Sequence, residues 1–133
     1  MKIFQCDSCG QLLFFENTVC GSCGSPLGYL WRTNQLSALV EKNGAYEALA
    51  SPEASYRYCA NQQHGACNWL VPANSEDPYC KACDLNNTIP DLSKDEHKKA
   101  WQQLESAKHR LVYSLLRFGL PVESKSDEPD RGL

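Results

Sequence analysis

The sequence predicts a small, metal-stabilised α+β fold in which two zinc-ribbon (rubredoxin-like) β-hairpin units are followed by one long C-terminal α-helix. Three observations predict it: 8 cysteines among 133 residues, short apolar runs beside the cysteine pairs, and a helical period of apolar residues near the C-terminus. This length accommodates one domain of ordinary size or two small ones. Ribbons of roughly 30 residues bury too little apolar surface to fold without metals or disulfides.

The cysteines fall into two groups of four, one in each half of the chain. Three of the four pairs are C-x-x-C, and the pair Cys59 and Cys67 is wider. Two thiolates on one tight turn can face one ion, and two such turns complete the tetrahedron that zinc prefers. We therefore expect two structural zinc ions, one held by Cys6, Cys9, Cys20 and Cys23 and the other by Cys59, Cys67, Cys80 and Cys83.

A glycine follows the second cysteine of each C-x-x-C turn in the first group, at Gly10 and Gly24. Glycine adopts positive φ without strain. We expect this backbone to turn N–H groups toward the sulfurs and spread the charge of the thiolates.

Three other uses of the cysteines compete with zinc binding. Disulfides are disfavoured because the chain starts without an export signal, and a thioredoxin-like redox role requires a single C-x-x-C on a βαβ unit. Iron remains an alternative to zinc, because paired C-x-x-C-G turns also build rubredoxin sites. The ten residues between Cys9 and Cys20 are short for a rubredoxin, so zinc is favoured.

His64 lies between Cys59 and Cys67 and is an alternative ligand for the second site. We interpret it as a loop histidine beside the metal, because four cysteines already close that site. A closed site has no open position for water, so neither zinc is expected to be catalytic.

The predicted secondary-structure segments are arranged around the cysteine pairs along the chain. Residues 1–31 form the first ribbon, with a strand at 12–15, and residues 32–55 form a connecting segment in which Leu36, Leu39 and Val40 have helical spacing. Residues 56–90 form the second zinc-binding unit, with strands at 56–59 and 67–71. Trp69 is expected in its core.

The spacing of apolar residues in 91–120 predicts an amphipathic helix. Ser93 is the expected N-cap with Glu96 as its capping-box partner, and Gly119 ends the helix. The apolar residues at helical spacing are Trp101, Leu104, Leu111, Val112, Leu115 and Phe118. Residues 121–133 are charged and are expected to be a linker or tail.

The charge balance disfavours nucleic acid as a partner. The formal net charge is -3, and each filled four-thiolate zinc site adds -2, which gives about -7. A nucleic-acid-binding ribbon normally has a basic surface. No run of apolar residues is long enough to span a membrane, and Cys6 arrives before a signal-peptide core could fit, so we expect a cytoplasmic protein without membrane contact.

Several of these segments together resemble the bacterial putative zinc-binding metallopeptidase family, specifically its N-terminal zinc-ribbon region. They are the C-x-x-C-G turns, the stretch from Tyr58 to Asn61, the run Cys67-Asn68-Trp69-Leu70-Val71, and the stretch from Trp101 to Pro121. The resemblance implies that a larger domain with a His-Glu-x-x-His metal motif follows. That motif is absent from this sequence, whose histidines are His64, His97 and His109, and no catalytic residue is carried over.

The favoured hypothesis is a non-catalytic zinc-binding accessory module that meets a protein partner or a C-terminal domain missing from this chain. A nucleic-acid-binding zinc ribbon is the first alternative, because basic side chains outnumber acidic ones by six to three between residues 93 and 118 of the predicted helix. A rubredoxin-like iron electron carrier is the second.

Overall fold

The computed structural model describes all residues from Met1 to Leu133. Seven strands are present: β1 (Phe4–Gln5), β2 (Leu12–Leu13), β3 (Leu27–Leu30), β4 (Gln35–Lys42), β5 (Ala45–Ala48), β6 (Ser51–Tyr58) and β7 (Leu70–Pro72). Two short 3-10 helices span Ala60–His64 and Cys83–Leu85, and one α-helix, α1, spans Asp95–Arg117.

The strands form two antiparallel sheets. β1 pairs with β2, and β3 to β7 form a five-stranded sheet in which each strand pairs with the next along the chain. A further bridge joins Tyr29 in β3 to Trp69, and the N–H of Tyr29 donates to the carbonyl oxygen of Asn68 at 2.8 Å. The first and last strands of the larger sheet therefore meet.

The five-stranded sheet shows that the predicted pair of separate β-hairpin units is wrong. Residues 32–55 contain β4, β5 and most of β6, where the spacing of Leu36 and Leu39 suggested a helix. β4 is buried continuously from Leu36 to Leu39. A strand buried on both faces loses the alternation that distinguishes it from a helix.

The turn between β4 and β5 consists of Asn43 and Gly44. Both have positive φ, 53° at Asn43 and 78° at Gly44, and Lys42 pairs directly with Ala45. An Asn-Gly turn with both residues at positive φ matches the right-handed twist of the strands it joins. This dipeptide is the sequence signal for the β4–β5 hairpin.

One aromatic core lies between the two cysteine groups. Trp69 is fully buried, as expected, and its ring centroid lies 4.7 Å from that of Tyr29 and 6.2 Å from that of Phe15. Tyr113 of α1 packs on Phe15 at 5.1 Å. Cysteines of both groups belong to this same buried cluster, so the two metal units and α1 share one core.

The ends of α1 differ in how well the sequence predicted them. The hydroxyl of Ser93 donates to a carboxylate oxygen of Asp91 at 2.6 Å and does not cap the helix, which begins at Asp95. The C-terminal stop is confirmed: Gly119 has a φ of 66°. The N–H of Gly119 and that of Leu120 close the last turn on the carbonyls of Leu116 and Leu115.

The apolar residues of α1 divide between two faces. The buried face carries Trp101, Glu105, His109, Val112 and Tyr113. The outer face exposes Leu104, Leu111 and the C-cap residue Phe118 to 69%, 56% and 77%. No helix of this chain combines the length and apolar character that crossing a membrane requires.

Candidate metal centres

The first cysteine cluster lies at one end of the two-stranded sheet. Cys6 directly follows β1, and Cys20 follows Val19, which bridges to Pro26. The Sγ atoms of Cys6 and Cys23 are 3.7 Å apart, and those of Cys9 and Cys20 are 3.6 Å apart. All four sulfurs lie within 4.8 Å of one another, so the fold brings this predicted tetrad together.

The two C-x-x-C-G turns of this cluster have matching geometry. Gly10 and Gly24 have φ values of 78° and 74°, which confirms the expected positive φ. Their N–H groups donate to the carbonyl oxygens of Cys6 and Cys20, at 2.8 and 2.9 Å, and not to the sulfurs. The glycines therefore close the turns, while other backbone N–H groups donate hydrogen bonds to the sulfurs.

Local hydrogen bonds stabilise thiolates in this first cluster. The N–H groups of Cys23 and Ser22 lower the pKa of Cys20. The hydroxyl of Ser25, 3.1 Å from the sulfur, lowers the pKa of Cys23 to about 6. These donors favour the thiolate form of Cys20 and Cys23, whereas burial raises the pKa of Cys6 to about 11.

The second cluster is built around the ends of the larger sheet. Cys59 follows β6, Cys67 precedes β7, and Cys80 and Cys83 lie in the turn beyond it. All four sulfurs lie within 4.8 Å of one another, and all four residues are buried. The Sγ atoms of Cys67 and Cys80 are 3.7 Å apart.

Backbone donors also reach this cluster. The N–H of Trp69 donates to the sulfur of Cys67 and that of Cys80 to the sulfur of Cys59, both at 3.3 Å. In the absence of a metal, the Cys67 and Cys80 thiols donate to Cys59 and lower its pKa, while burial raises the pKa of Cys67 and Cys80 well above the usual value. Four thiolates therefore require a cation in their midst.

The sulfur geometry fits zinc. A tetrahedral site with zinc–sulfur bonds of about 2.3 Å has sulfur–sulfur edges of about 3.8 Å. The separations between Cys6 and Cys23, between Cys9 and Cys20 and between Cys67 and Cys80 are 3.7, 3.6 and 3.7 Å. The two four-cysteine clusters fit two structural zinc ions.

Helix α1 brings two further metal-ligand side chains to the second cluster, both buried. Nε2 of His109 lies 3.7 Å from Sγ of Cys83, and Oε2 of Glu105 lies 3.8 Å from the same sulfur. The ring of His109 also packs edge-on against Trp69, with centroids 5.2 Å apart. The second cluster is therefore enclosed by the helix as well as by the sheet.

The carboxylate of Glu105 is already paired. Both of its oxygens accept from the ammonium group of Lys108, at 2.9 and 2.8 Å, and one accepts from the side-chain amide of Asn86 at 3.3 Å. Lys108 also donates to Asn86. A buried carboxylate needs such partners, and these link α1 to the turn after Cys83.

His64, the histidine that the sequence singled out, lies elsewhere. Its ring is 6.0 Å from that of Trp101, edge-on, and its carbonyl oxygen accepts from Gln102 at 2.7 Å. The structure places it in none of the three groups of potential metal ligands. The histidine at the cluster is His109, and its i, i+4 spacing from Glu105 on the face of Trp101 and Val112 is the signal that could have found it.

The comparisons with known proteins agree with this site. A family model described as a zinc-ribbon domain matches residues 3–94. The chain belongs to the zinc-ribbon domain family. A second family model, described as putative zinc-binding metallo-peptidase, matches residues 97–133. Together the two matches confirm the resemblance to the N-terminal zinc-ribbon region of that metallopeptidase family.

The zinc-ribbon protein also has relatives of greater length. An uncharacterized protein of Mycobacterium bovis and one of Mycobacterium tuberculosis are each 34% identical to it over 133 residues. The alignment covers 100% of this chain and 36% of each relative. No solved structure matches the chain.

Proposed function

We propose that residues 1–133 form a non-catalytic, zinc-stabilised interaction module that docks, through the outer face of α1, with the polypeptide that follows the zinc ribbon in the longer relatives. The observation that carries this proposal is the row of exposed apolar residues on α1. Leu104, Leu111 and Phe118 are spaced seven residues apart, which keeps them on one side of a helix.

This row, the outer stripe of α1, is separate from the buried face that holds the helix on its own domain. Isolated exposed apolar residues are ordinary on protein surfaces, but three large apolar side chains aligned along one helix face are typical of an interaction site. An amphipathic helix that lays such anchors into a groove is a recurring mode of recognition.

The choice of occupant is supported by the comparisons. The zinc-binding metallo-peptidase match begins at residue 97, within α1, and so includes the whole stripe. The chain spans about a third of the length of its curated relatives, 36%. Helix α1 packs on the core of the zinc-ribbon fold and also lies within the metallo-peptidase match. It is therefore well placed to connect the zinc ribbon to the rest of the longer protein.

The same proposal assigns every cysteine of the chain as a zinc ligand. The ligands of the first zinc are Cys6, Cys9, Cys20 and Cys23, and those of the second are Cys59, Cys67, Cys80 and Cys83.

Native mass spectrometry of the purified chain is expected to show two zinc ions and no iron. Visible absorbance from bound iron would instead support the electron-carrier alternative. All eight cysteines must stay reduced to bind zinc in this way. Because the cytoplasm keeps thiols reduced, we propose a cytoplasmic location.

The docking test compares two triple variants. Calorimetry measures binding between residues 1–133 and the polypeptide that lies beyond the aligned region in the longer Mycobacterium tuberculosis relative, supplied separately. L104Q/L111Q/F118Q is expected to weaken binding at least about tenfold. The control, L12Q/F14Q/V19Q, removes three exposed apolar residues of the first ribbon and is expected to bind as the wild type does.

Four results would contradict the proposal. A control variant that loses binding while the α1 variant keeps it would move the docking face to the first ribbon. Dimerisation abolished by the α1 variant would make a second copy the occupant. Peptide cleavage by purified residues 1–133 that stops with a zinc chelator would contradict the non-catalytic role. Binding to nucleic acid that weakens steeply with salt would support the nucleic-acid alternative.

A further inference from the structure

The two C-x-x-C-G turns of the first cluster share one pattern of backbone hydrogen bonds. In each turn the glycine N–H donates to the carbonyl oxygen of the first cysteine, and the N–H of that cysteine donates to the carbonyl oxygen of the residue after the glycine. Those residues are Gln11 and Ser25, which accept at 2.8 and 2.9 Å. Position 11 in the first turn therefore corresponds to position 25 in the second.

The side chains at these corresponding positions make different contacts. The hydroxyl of Ser25 lies 3.1 Å from Sγ of Cys23 and donates to it when that sulfur is a thiolate. The side-chain amide of Gln11 donates instead to the carbonyl oxygen of Leu12, at 3.5 Å. The sulfur of Cys23 therefore has a side-chain hydroxyl or amide donor, and the sulfur of Cys9 has none.

Exposure sets the same two cysteines apart from the others. Cys9 and Cys23 are exposed, whereas Cys6, Cys20 and all four cysteines of the second cluster are buried. Oxidants react with the thiolates that they can reach. A hydrogen bond stabilises the charge of a thiolate and so lowers its nucleophilicity. Exposure and the lack of a side-chain donor therefore coincide at Cys9 alone.

Cys20 is positioned to react with an oxidised Cys9. Its Sγ lies 3.6 Å from that of Cys9, and the residue is buried. An exposed cysteine with a second thiolate beside it is the arrangement in which a sulfenic acid condenses to a disulfide.

We propose that Cys9 is the site at which hydroperoxides oxidise this protein, and that Cys20 converts the product into a disulfide. The Cys9 thiolate attacks hydrogen peroxide: an S–O bond forms, the O–O bond breaks and hydroxide leaves, so that Cys9 becomes a sulfenic acid. The Cys20 thiolate then attacks that sulfur: an S–S bond forms, the S–O bond breaks and a second hydroxide leaves. Each sulfur gives up one electron, and the peroxide takes up both. The first zinc loses two of its four thiolates and is released. This inference rests on the zinc assignment proposed above.

The test treats the zinc-loaded chain with limiting hydrogen peroxide. The remaining thiols are blocked with N-ethylmaleimide, digestion and peptide mass spectrometry locate each disulfide, and a colorimetric chelator follows the released zinc. The Cys9–Cys20 disulfide is expected to form first, with zinc release in step with it. A first disulfide between Cys6 and Cys23, or one within the second cluster, would overturn the proposal.

Variants at the two corresponding positions test the effect of the hydroxyl without removing a ligand. Gln11→Ser adds a hydroxyl in the turn of Cys9 and is expected to slow disulfide formation and zinc release several-fold. Gln11→Ala, which adds no donor, is the matched control and is expected to react as the wild type does. Ser25→Ala is expected to add a Cys6–Cys23 disulfide, whose sulfurs are 3.7 Å apart. Equal rates in Q11S and Q11A would overturn the proposal.

The zinc count before oxidation separates this inference from the assignment on which it rests. A wild type with fewer than two zinc ions per chain contradicts the assignment itself. Two zinc ions at the start, followed by oxidation of another pair first, overturn this inference and leave the assignment standing.

Discussion

The side-chain amide of Asn68 donates to the carbonyl oxygen of Phe15 at 3.1 Å. The same amide donates to the carbonyl of Asn17 at 3.0 Å. Phe15 and Asn17 lie between the C-x-x-C turns of the first cluster, whereas Asn68 follows a cysteine of the second. One buried amide therefore ties the two metal units together.

Asn68→Ala is expected to lower the free energy of unfolding by about 1–3 kcal/mol, because it leaves two carbonyl oxygens without their donor. Zinc content should not change, since no ligand is removed. Urea unfolding followed by circular dichroism measures the loss. Asn87→Ala, at an exposed position without a side-chain hydrogen bond, is the control and is expected to stay within about 0.5 kcal/mol of the wild type.

Gly28→Ala is expected to destabilise the sheet by about 1–3 kcal/mol through overpacking. A Cβ at Gly28 would lie 2.6 to 2.7 Å from the side-chain carbons of Leu70, where β3 and β7 meet. In a double-mutant cycle, Leu70→Ala should relieve part of the clash, so the two costs should sum to more than the double variant shows. Gly21→Ala, with open space around it, is the matched control. Additive costs would mean that the two residues do not clash.

Val112→Ala and Leu111→Ala are expected to differ sharply in their effect on the free energy of unfolding, although the two residues are neighbours on α1. Val112 is 1% exposed and packs in the aromatic core, so losing its methyl groups should cost about 1–3 kcal/mol. Leu111 lies in the outer stripe, and its loss should change the stability of residues 1–133 by less than about 0.5 kcal/mol. Thermal unfolding of both variants checks this, and a large cost at Leu111 would show that the stripe packs within the chain.

Removal of zinc is expected to disorder both metal units together. Zinc contributes roughly 10–16 kcal/mol of apparent binding free energy per site in finger peptides, and cysteines of both clusters share one core. Cys9→Ala should therefore reduce the near-ultraviolet circular dichroism of the Phe15, Tyr29 and Trp69 cluster, as chelation does. If C9A kept the full aromatic signal, the units would be independent.

Much of the metal chemistry followed from local sequence. The spacing within each C-x-x-C pair places two thiolates on one turn, and Gly10 and Gly24 adopt the positive φ that the turns require. The stop at Gly119 is equally local. Sequence predicted these features because each depends on residues only a few positions apart.

The architecture between the clusters did not follow in the same way. β4 is buried continuously from Leu36 to Leu39, and a buried run has the same apolar spacing in a strand as in a helix. The Asn43-Gly44 turn carried the missing information, because an Asn-Gly pair at positive φ favours a hairpin. Helix periodicity likewise could not show which face of α1 would be buried.

The spacing of residues along the chain was enough to predict two groups of four cysteines and a helix stopped by Gly119. Folding brought the two groups into one core and placed His109, not His64, beside the second cluster. It also left Leu104, Leu111 and Phe118 exposed. Turn geometry and capping act over only a few residues, so they can be predicted locally. The face of α1 that packs inward depends on Phe15, Trp69 and Cys83, which come from earlier and widely separated parts of the chain.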